Sequence, residues 1–254
     1  MHIHCYLLKP LSHRFNDRLN RWYLSFFKVL LCGFLVLSFN ASAAQPVNEA
    51  AIKLIMGNFS QGDLKGWEEK IFSGNTNYVL VVEEGGDNGI TQEKLKKRLR
   101  ASSDNSASGL FKEQRIDLHK TPYLHWSWKT EHLYSGLNEL KKAGDDFVAR
   151  IYIVIDGGMF MWKTKALNYV WSSAFKHEQF WPNPYTSNAT MFAVESGPNN
   201  LGKWMNYKRN VRDDLKTTLG KEVRYIDAIA VMTDSDSSGQ KAITYYGDIY
   251  FTAQ

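Results

Sequence analysis

Two aspartates at alternate positions form the most distinctive ligand-like pattern in this sequence. Asp234 and Asp236 are followed by Ser238 and Gly239, so oxygen-bearing side chains alternate before a glycine. Calcium loops use such spacing because carboxylates wrap around a hard cation and the glycine permits a sharp turn. The twelfth position of such a loop is Tyr245, where a bidentate glutamate is usual. A polar turn between two strands is the alternative interpretation, since Asp, Ser and Gly are common in turns.

A second group of side chains could hold the hydroxyl groups of a sugar. Charged groups make paired hydrogen bonds to hydroxyls, and an aromatic ring offers an apolar surface beneath the sugar. The alternative is a solvated face with weak ion pairs, each contributing about 0–1 kcal/mol. The residues predicted for this polar face of the central strands are Arg100, His125, Lys129, Arg150, Tyr152 and Asp156.

The tryptophans divide into two predicted roles. Trp126 and Trp128 share one face of a predicted strand, which favours packing in the core. Trp162, Trp181 and Trp204 lie near predicted loops or strand ends, where a ring can be displayed to a ligand. We therefore expect these three rings to contribute to a binding surface.

Catalytic patterns are sparse. The sequence has no Gly-x-Ser-x-Gly elbow, no His-Glu-x-x-His helix and no phosphate-binding glycine loop. Its histidines are too scattered to predict a zinc site. A glycosidase needs two carboxylates about 5–10 Å apart, and the candidates are Asp156, Glu195, Asp234 and Asp236.

The elements that would position these groups are mostly strands. Alternation with a period of two runs through the chain from Ile52 onward, in segments rich in β-branched and aromatic residues. One short helix is predicted at 210–220, with an asparagine cap and a closing glycine. Many strands, one helix and no βαβ rhythm predict an antiparallel β-sandwich or jelly roll. The clearest predicted strands are 123–130, 147–156, 167–171, 191–195, 226–234 and 245–251.

The N-terminal 43 residues have the features of a cleavable export signal. A basic lead-in precedes an apolar run of about eleven residues, and Ala41 and Ala43 occupy the positions that a signal peptidase reads. That run is shorter than the ~20 residues of a membrane span, so we expect no integral membrane segment after cleavage. The mature chain, 44–254, is predicted to be one domain that is periplasmic or secreted.

Removal of this leader changes the charge and the cysteine content. The full chain of 254 residues has a net charge of +5. The leader contains five of the 31 basic and one of the 26 acidic residues, which leaves 26 against 25. The predicted mature chain is therefore near neutral, which argues against nucleic acid as a partner. Both cysteines, Cys5 and Cys32, also lie in the leader, so no disulfide or thiol chemistry is expected.

Several segments resemble known families. The opening at 58–67 and the end at 245–251 resemble the first and last strands of galactose-binding-like jelly rolls, in which an aspartate such as Asp248 helps hold a structural calcium. The segments 99–103, 124–129, 232–239 and 245–251 together resemble a bacterial exported family of unknown function, DUF3047. That resemblance implies a secreted β-sandwich and brings no established activity.

These observations predict an exported β-sandwich that binds a carbohydrate or related envelope ligand without catalysis. A structural Ca²⁺ is an accompanying expectation, with Asp234 and Asp236 as ligands of one candidate site and Asp248 as a ligand of a second one near the first strand. One alternative is a polysaccharide hydrolase or lyase that uses paired carboxylates. The other is an accessory protein that docks another exported protein.

Overall fold

The computed structural model describes residues 52–82, 96–159 and 163–254. The predicted leader and Trp162 lie outside the described residues. The three described segments contain fourteen strands, one α-helix, and 3₁₀ turns at Phe59–Gln61 and Lys142–Gly144. The strands are β1 (Lys53–Gly57), β2 (Glu68–Ser73), β3 (Asn77–Val82), β4 (Lys97–Asp104), β5 (Ala107–Asp117), β6 (Tyr123–Thr130), β7 (Arg150–Ile155), β8 (Lys165–Ser172), β9 (Phe180–Pro182), β10 (Ala189–Ser196), β11 (Met205–Asn210), β12 (Tyr225–Asp234), β13 (Lys241–Tyr246) and β14 (Ile249–Thr252).

The strands form two seven-stranded sheets. The first sheet has the order β1-β14-β6-β13-β4-β3, and β11 pairs with the other edge of β6. The second sheet has the order β2-β5-β12-β7-β8-β10-β9. Every pairing is antiparallel except the parallel pair of β8 and β10. The predicted all-β, antiparallel sandwich is therefore confirmed.

The main core lies between the two sheets and is rich in aromatic rings. Trp126 of the first sheet stacks on Tyr169 of the second, with ring centroids 5.3 Å apart. Trp128 of the first sheet lies 6.4 Å from Trp171 of the second, with the two rings tilted by 37°. Both tryptophans of β6 are buried, as expected from their shared face. Because these side chains point inward, the alternate residues of β6 point to the outer face of the first sheet.

Two predicted strands differ from the observed ones. The segment 245–251 divides into β13 and β14 at Gly247 and Asp248. Between Tyr246 and Tyr250 the chain has one residue more than the part of β6 that lies opposite it. The predicted strand 147–156 begins only at Arg150. Phe147 belongs to the connection from β6 and packs against Trp181.

The helix α1 (Val211–Leu219) confirms the prediction at 210–220. The Asn210 side chain accepts a hydrogen bond from the amide of Asp213, and Gly220 closes the helix with φ of 68°. Its buried side chains are Val211, Asp214 and Leu215, which attach one helix face to the sandwich. In the described part of the chain, no helix is long and apolar enough to cross a membrane.

Candidate ligand-binding face

The outer side of the first sheet presents a surface that we call the open face. It consists of the outward side chains of β1, β4, β6, β11, β13 and β14. Strand pairing places Lys208, His125 and Tyr250 in one row across three strands. A second row contains Lys129, Tyr245 and Arg100. The sequence therefore placed Arg100, His125 and Lys129 correctly on a common polar face.

A depression of about 340 Å³ lies in the middle of the open face. It forms where Gly247 faces Ser127, because the glycine has no side chain to fill the space between the two rows. A Cβ atom at position 247 would overlap the Ser127 hydroxyl oxygen. The lining includes side chains that can bond hydroxyl groups or carry charge, namely Arg98, His125, Ser127, Asn206, Asp248 and Tyr250.

Aromatic rings lie in this depression and elsewhere on the open face, and cations lie over several of them. The rings of His125 and Tyr250 are stacked with centroids 4.6 Å apart. Arg98 lies 5.0 Å from the centre of the Trp204 ring. Lys129 lies between the rings of Tyr245 and Trp204, 4.7 Å and 5.8 Å from their centroids. Trp204 is half-buried at the edge of this face, where the sequence predicted a displayed ring.

The imidazole of His125 is held in a defined position. It forms a hydrogen bond of 2.8 Å with the hydroxyl group of Thr252. Burial lowers the pKa of His125, and the positive charges of Lys208 and Lys53 lower it further. The neutral imidazole is therefore favoured at neutral pH, and it can exchange hydrogen bonds with a ligand hydroxyl.

Arg150 and Tyr152 do not lie on the open face, which corrects their predicted placement. Arg150 is only 1% exposed and donates to the Asp234 carboxylate at 2.7 Å. It also donates to the Tyr152 hydroxyl at 2.9 Å and to the Asp145 carbonyl at 2.8 Å. Asp145 and Phe147, from the connection between β6 and β7, cover this side of the second sheet. We call Asp145, Arg150, Tyr152 and Asp234 the closed network.

Charges in the closed network stabilise one another. Burial acts to lower the pKa of Arg150, but the Asp234 carboxylate raises it, and the net direction is upward. The guanidinium therefore remains charged inside the protein. Burial raises the pKa of Asp145 to about 6, although Arg150 acts in the opposite direction. These groups hold the connection between β6 and β7 against the second sheet, and they are closed to a surface ligand.

An acidic cluster lies beside the closed network. Carboxylate oxygens of Asp146, Asp234 and Asp236 lie within 4.8 Å of one another. Asp146 accepts hydrogen bonds from the amides of Ser237 and Ser238, so the turn after β12 wraps around it. The buried oxygen Oδ1 of Asp236 has no hydrogen-bond partner among the described residues. Oxygen donors in this arrangement fit a hard cation such as Ca²⁺, and Asp146 is a donor that the sequence analysis missed.

Asp248 is not part of that cluster and lies beside the first 3₁₀ turn, so its role as a ligand of a separate calcium stays a prediction. Its two carboxylate oxygens accept hydrogen bonds from the amide and the hydroxyl group of Ser60, at 2.8 Å and 2.6 Å. Ser60 stands where the resembling jelly rolls place a second acid. The hydroxyl and amide groups of Ser60 therefore fasten the junction of β13 and β14 to the first 3₁₀ turn.

Two other predicted residues lie away from the open face. Asp156 follows β7 at the end opposite Asp234, a separation of roughly 26 Å along an antiparallel strand pair. Its carboxylate caps the turn at Gly158. Trp181 is 4% exposed and stacks on Phe175, so its predicted display is wrong. Trp162 falls outside the described residues.

The carboxylates proposed for catalysis are also dispersed. Asp156 and Asp234 lie at opposite strand ends, and Glu195 accepts a hydrogen bond from Tyr207 at 2.7 Å. Asp234 and Asp236 are close together, but Asp234 is fully buried against Arg150.

Comparison with known proteins identifies the family but no activity. The model of the family described as "Protein of unknown function (DUF3047)" matches residues 65–250. The chain belongs to this family. Membership in DUF3047 confirms the resemblance seen in the sequence. No curated protein matches the chain.

The solved structures that are similar to this DUF3047 protein have low identities and low TM-scores. A family 11 carbohydrate-binding module from Clostridium thermocellum, in complex with a mixed-linked tetrasaccharide, has 10% identity and a TM-score of 0.38, covering 78% of this chain and 94% of that one. The K3 adhesin domain of Lys-gingipain from Porphyromonas gingivalis has 10% identity and a TM-score of 0.36, covering 80% and 99%. A family 12 glycoside hydrolase structure has 6% identity and a TM-score of 0.39, covering 71% and 98%.

Proposed function

We propose that this DUF3047 protein binds a carbohydrate on the open face, without catalysis. The observation that carries the proposal is the depression above Gly247, where a stacked pair of rings meets polar side chains. Tyr250 and His125 form one wall, and Ser127 and Asn206 supply hydroxyl and amide groups beside it. A pocket for a sugar requires apolar ring surface together with a few convergent hydrogen-bonding groups.

Asp248 gives the depression a fixed hydrogen-bond acceptor. Ser60 holds both carboxylate oxygens in place, and each oxygen keeps a lone pair for a further donor. A sugar hydroxyl can donate to this carboxylate and accept from Arg98 on the neighbouring strand. This preorganisation lowers the entropy lost on binding.

The lysines over the rings do not prevent a sugar from entering. An exposed cation–π contact contributes about 0.5–1 kcal/mol, so a flexible lysine can move aside at small cost. Lys53 over Tyr250 is such a contact, with 3.8 Å between its Nζ atom and the ring centroid. The leader predicted at residues 1–43 supports a periplasmic or secreted location, where a glycan ligand would be met.

The proposal is tested with a panel of soluble polysaccharides and the full chain. We expect Tyr250→Ala and Trp204→Ala to weaken the binding of a retained glycan at least tenfold, because each removes ring surface next to the depression. Phe180→Ala is the matched control, since Phe180 is an aromatic residue with 48% exposure on β9 of the second sheet. Calorimetry measures the affinities, and thermal unfolding verifies that each variant is folded.

Other outcomes would support the alternatives. Consumption of the bound glycan would favour a hydrolase or lyase, and a carboxylate-to-amide change would then abolish product release. If no polysaccharide of the panel binds, the proposal is contradicted. The docking of another exported protein then remains as the alternative. Loss of binding in Phe180→Ala alone would show that the glycan-binding surface lies on the second sheet.

A further inference from the structure

The open face has a strongly uneven distribution of charge. Six cationic side chains lie on it or at its edge, whereas the predicted mature chain is near neutral. These side chains are Lys53, Lys96, Arg98, Arg100, Lys129 and Lys208. The excess of positive charge is therefore local, on the same surface as the depression.

The carboxylates of this face are already engaged by other groups. Asp248 accepts two hydrogen bonds from Ser60. Glu131 accepts a hydrogen bond of 3.0 Å from the Tyr245 hydroxyl. Asp104 forms an ion pair of 2.7 Å with Lys241 at the far end of β4. Glu131 attracts the ammonium group of Lys129, but none of these three carboxylates forms an ion pair with Arg100 or Lys208.

Four of the cations lie close to aromatic or polar groups and not to acids. Among the described residues, no carboxylate forms an ion pair with Lys53, Arg98, Arg100 or Lys208. Lys53 and Lys208 instead lie over the rings of Tyr250 and Tyr123. A ring has a quadrupole but no net charge, so such contacts hold the cations without cancelling their field.

The electrostatic field of the open face differs from the field of a surface whose charges are paired. On the helix side of the molecule, Arg209 pairs with Asp214 and Glu178, and Arg212 pairs with Glu222. The fields of two opposite charges in close contact largely cancel at distances greater than the separation of the pair. The open face keeps its positive potential, which attracts an anion and steers its approach.

We infer that the ligand of the open face is an anionic glycan bearing uronate carboxylates, recognised by Arg98 and Lys208 beside the stacked rings of His125 and Tyr250. This inference rests on the proposed function, because the rings and the depression bind the sugar and the cations select its charge. An arginine can bond both oxygens of one carboxylate. The rings favour a glycan over a polymer of phosphate alone, which has no apolar surface to place on them.

The experiment compares polymers that differ only in charge. Polygalacturonate and alginate are each titrated into the full chain beside their carboxyl-reduced, neutral forms. We expect each acidic polymer to bind at least tenfold more tightly than its neutral form, and the difference to shrink as sodium chloride rises from 50 to 500 mM, since salt screens exposed charges.

A pair of double variants links the effect to the named cations. Arg98→Gln with Lys208→Gln should lose at least tenfold in affinity for polygalacturonate. The affinity for the neutral form should fall at least fivefold less, because a neutral sugar loses only the hydrogen bond from Arg98 and no attraction between charges. Lys65→Gln with Lys176→Gln removes the same charge from exposed positions outside the first sheet and should bind like the unaltered protein.

The remaining outcomes separate the two proposals. Equal binding of acidic and neutral polymers would overturn the anionic ligand and keep glycan binding. Binding of polyphosphate or duplex DNA as tight as that of polygalacturonate would show a general polyanion surface and overturn the uronate inference. Binding of none of these glycans would contradict the proposed function as well.

Discussion

The outer faces of the two sheets carry similar residue types in different surroundings. Each has an arginine, tyrosines and an aspartate on alternate strand positions. On the open face Arg100 and Tyr245 remain accessible, whereas Arg150 and Tyr152 are covered by the connection between β6 and β7. The same side chains therefore form a ligand surface in one sheet and an internal structural network in the other, and the covering segment makes the difference.

Replacing each arginine gives the largest expected contrast between the two faces. Arg150→Met should lower the free energy of unfolding by about 3–5 kcal/mol, because Asp234 would remain buried without its partner. Arg100→Met on the open face should change it by about 0.5–1 kcal/mol. Urea denaturation measures both values. A loss below about 1 kcal/mol in Arg150→Met would show that the closed network is not structural.

Calcium should act on the side of the closed network and not on the open face. A bound Ca²⁺ would offset the repulsion between the carboxylates of Asp146, Asp234 and Asp236. At a concentration one hundred times its dissociation constant, it should stabilise the fold by about 2.7 kcal/mol.

Thermal unfolding in calcium and in EDTA measures this increment. Asp236→Asn should abolish it, and Asp248→Asn, which alters a carboxylate bound to Ser60, should retain it. Identical unfolding of the unaltered protein in calcium and in EDTA would refute the metal site.

The depression depends on the absence of a side chain at Gly247, and a substitution at this position tests that dependence. Gly247→Ala should destabilise the protein by about 1 kcal/mol, because the new methyl group displaces the Ser127 hydroxyl from its rotamer. In the Ser127→Ala background the same change should have little effect, since the remaining contact at 3.5 Å is ordinary. A double-mutant cycle measures the coupling. Equal losses in both backgrounds would place the clash elsewhere.

The smallest expected effect concerns the protonation of His125. Its pKa is lowered by burial and by Lys208 and Lys53, so the imidazole is neutral at pH 7.5 and gains a proton only as the pH falls. Carboxylates of polygalacturonate remain ionised at pH 5.0, above the usual pKa of about 4. Affinity for this polymer should therefore rise about two- to threefold between pH 7.5 and 5.0, and His125→Gln should remove the rise. An equal rise in His125→Gln would assign it to another group.

Periodicity made the fold predictable to a large extent. The alternation in 123–130 gave β6 with its observed bounds and its buried tryptophans, and the caps at Asn210 and Gly220 gave α1. These signals are local, because strand faces and helix ends depend on neighbouring residues. The same signals did not show that Gly247 interrupts the last long strand.

The candidate site was only partly predictable, because strand pairing is not local. Alternation correctly placed His125 and Lys129 on one side of β6. It could not show which strands flank β6, so Tyr250, Lys208 and Asn206 were missed, although they complete the rows. Alternation also placed Arg150 on an outward face. Its burial was not predictable, because Asp145 and Phe147, which cover it, belong to a connection without a periodic pattern. A weak signal existed for Arg98, which precedes Arg100 by two residues.

NMR mapping of a bound glycan tests whether the open face is the binding surface. Amide chemical shifts of the full chain are recorded during titration with polygalacturonate oligosaccharides. We expect the largest changes on β6, β11 and β14, at His125, Lys208 and Tyr250, and no change at Lys70 and Phe180 on the second sheet. Changes concentrated on the second sheet, or no changes at saturating oligosaccharide, would contradict the assignment of the open face as the binding surface.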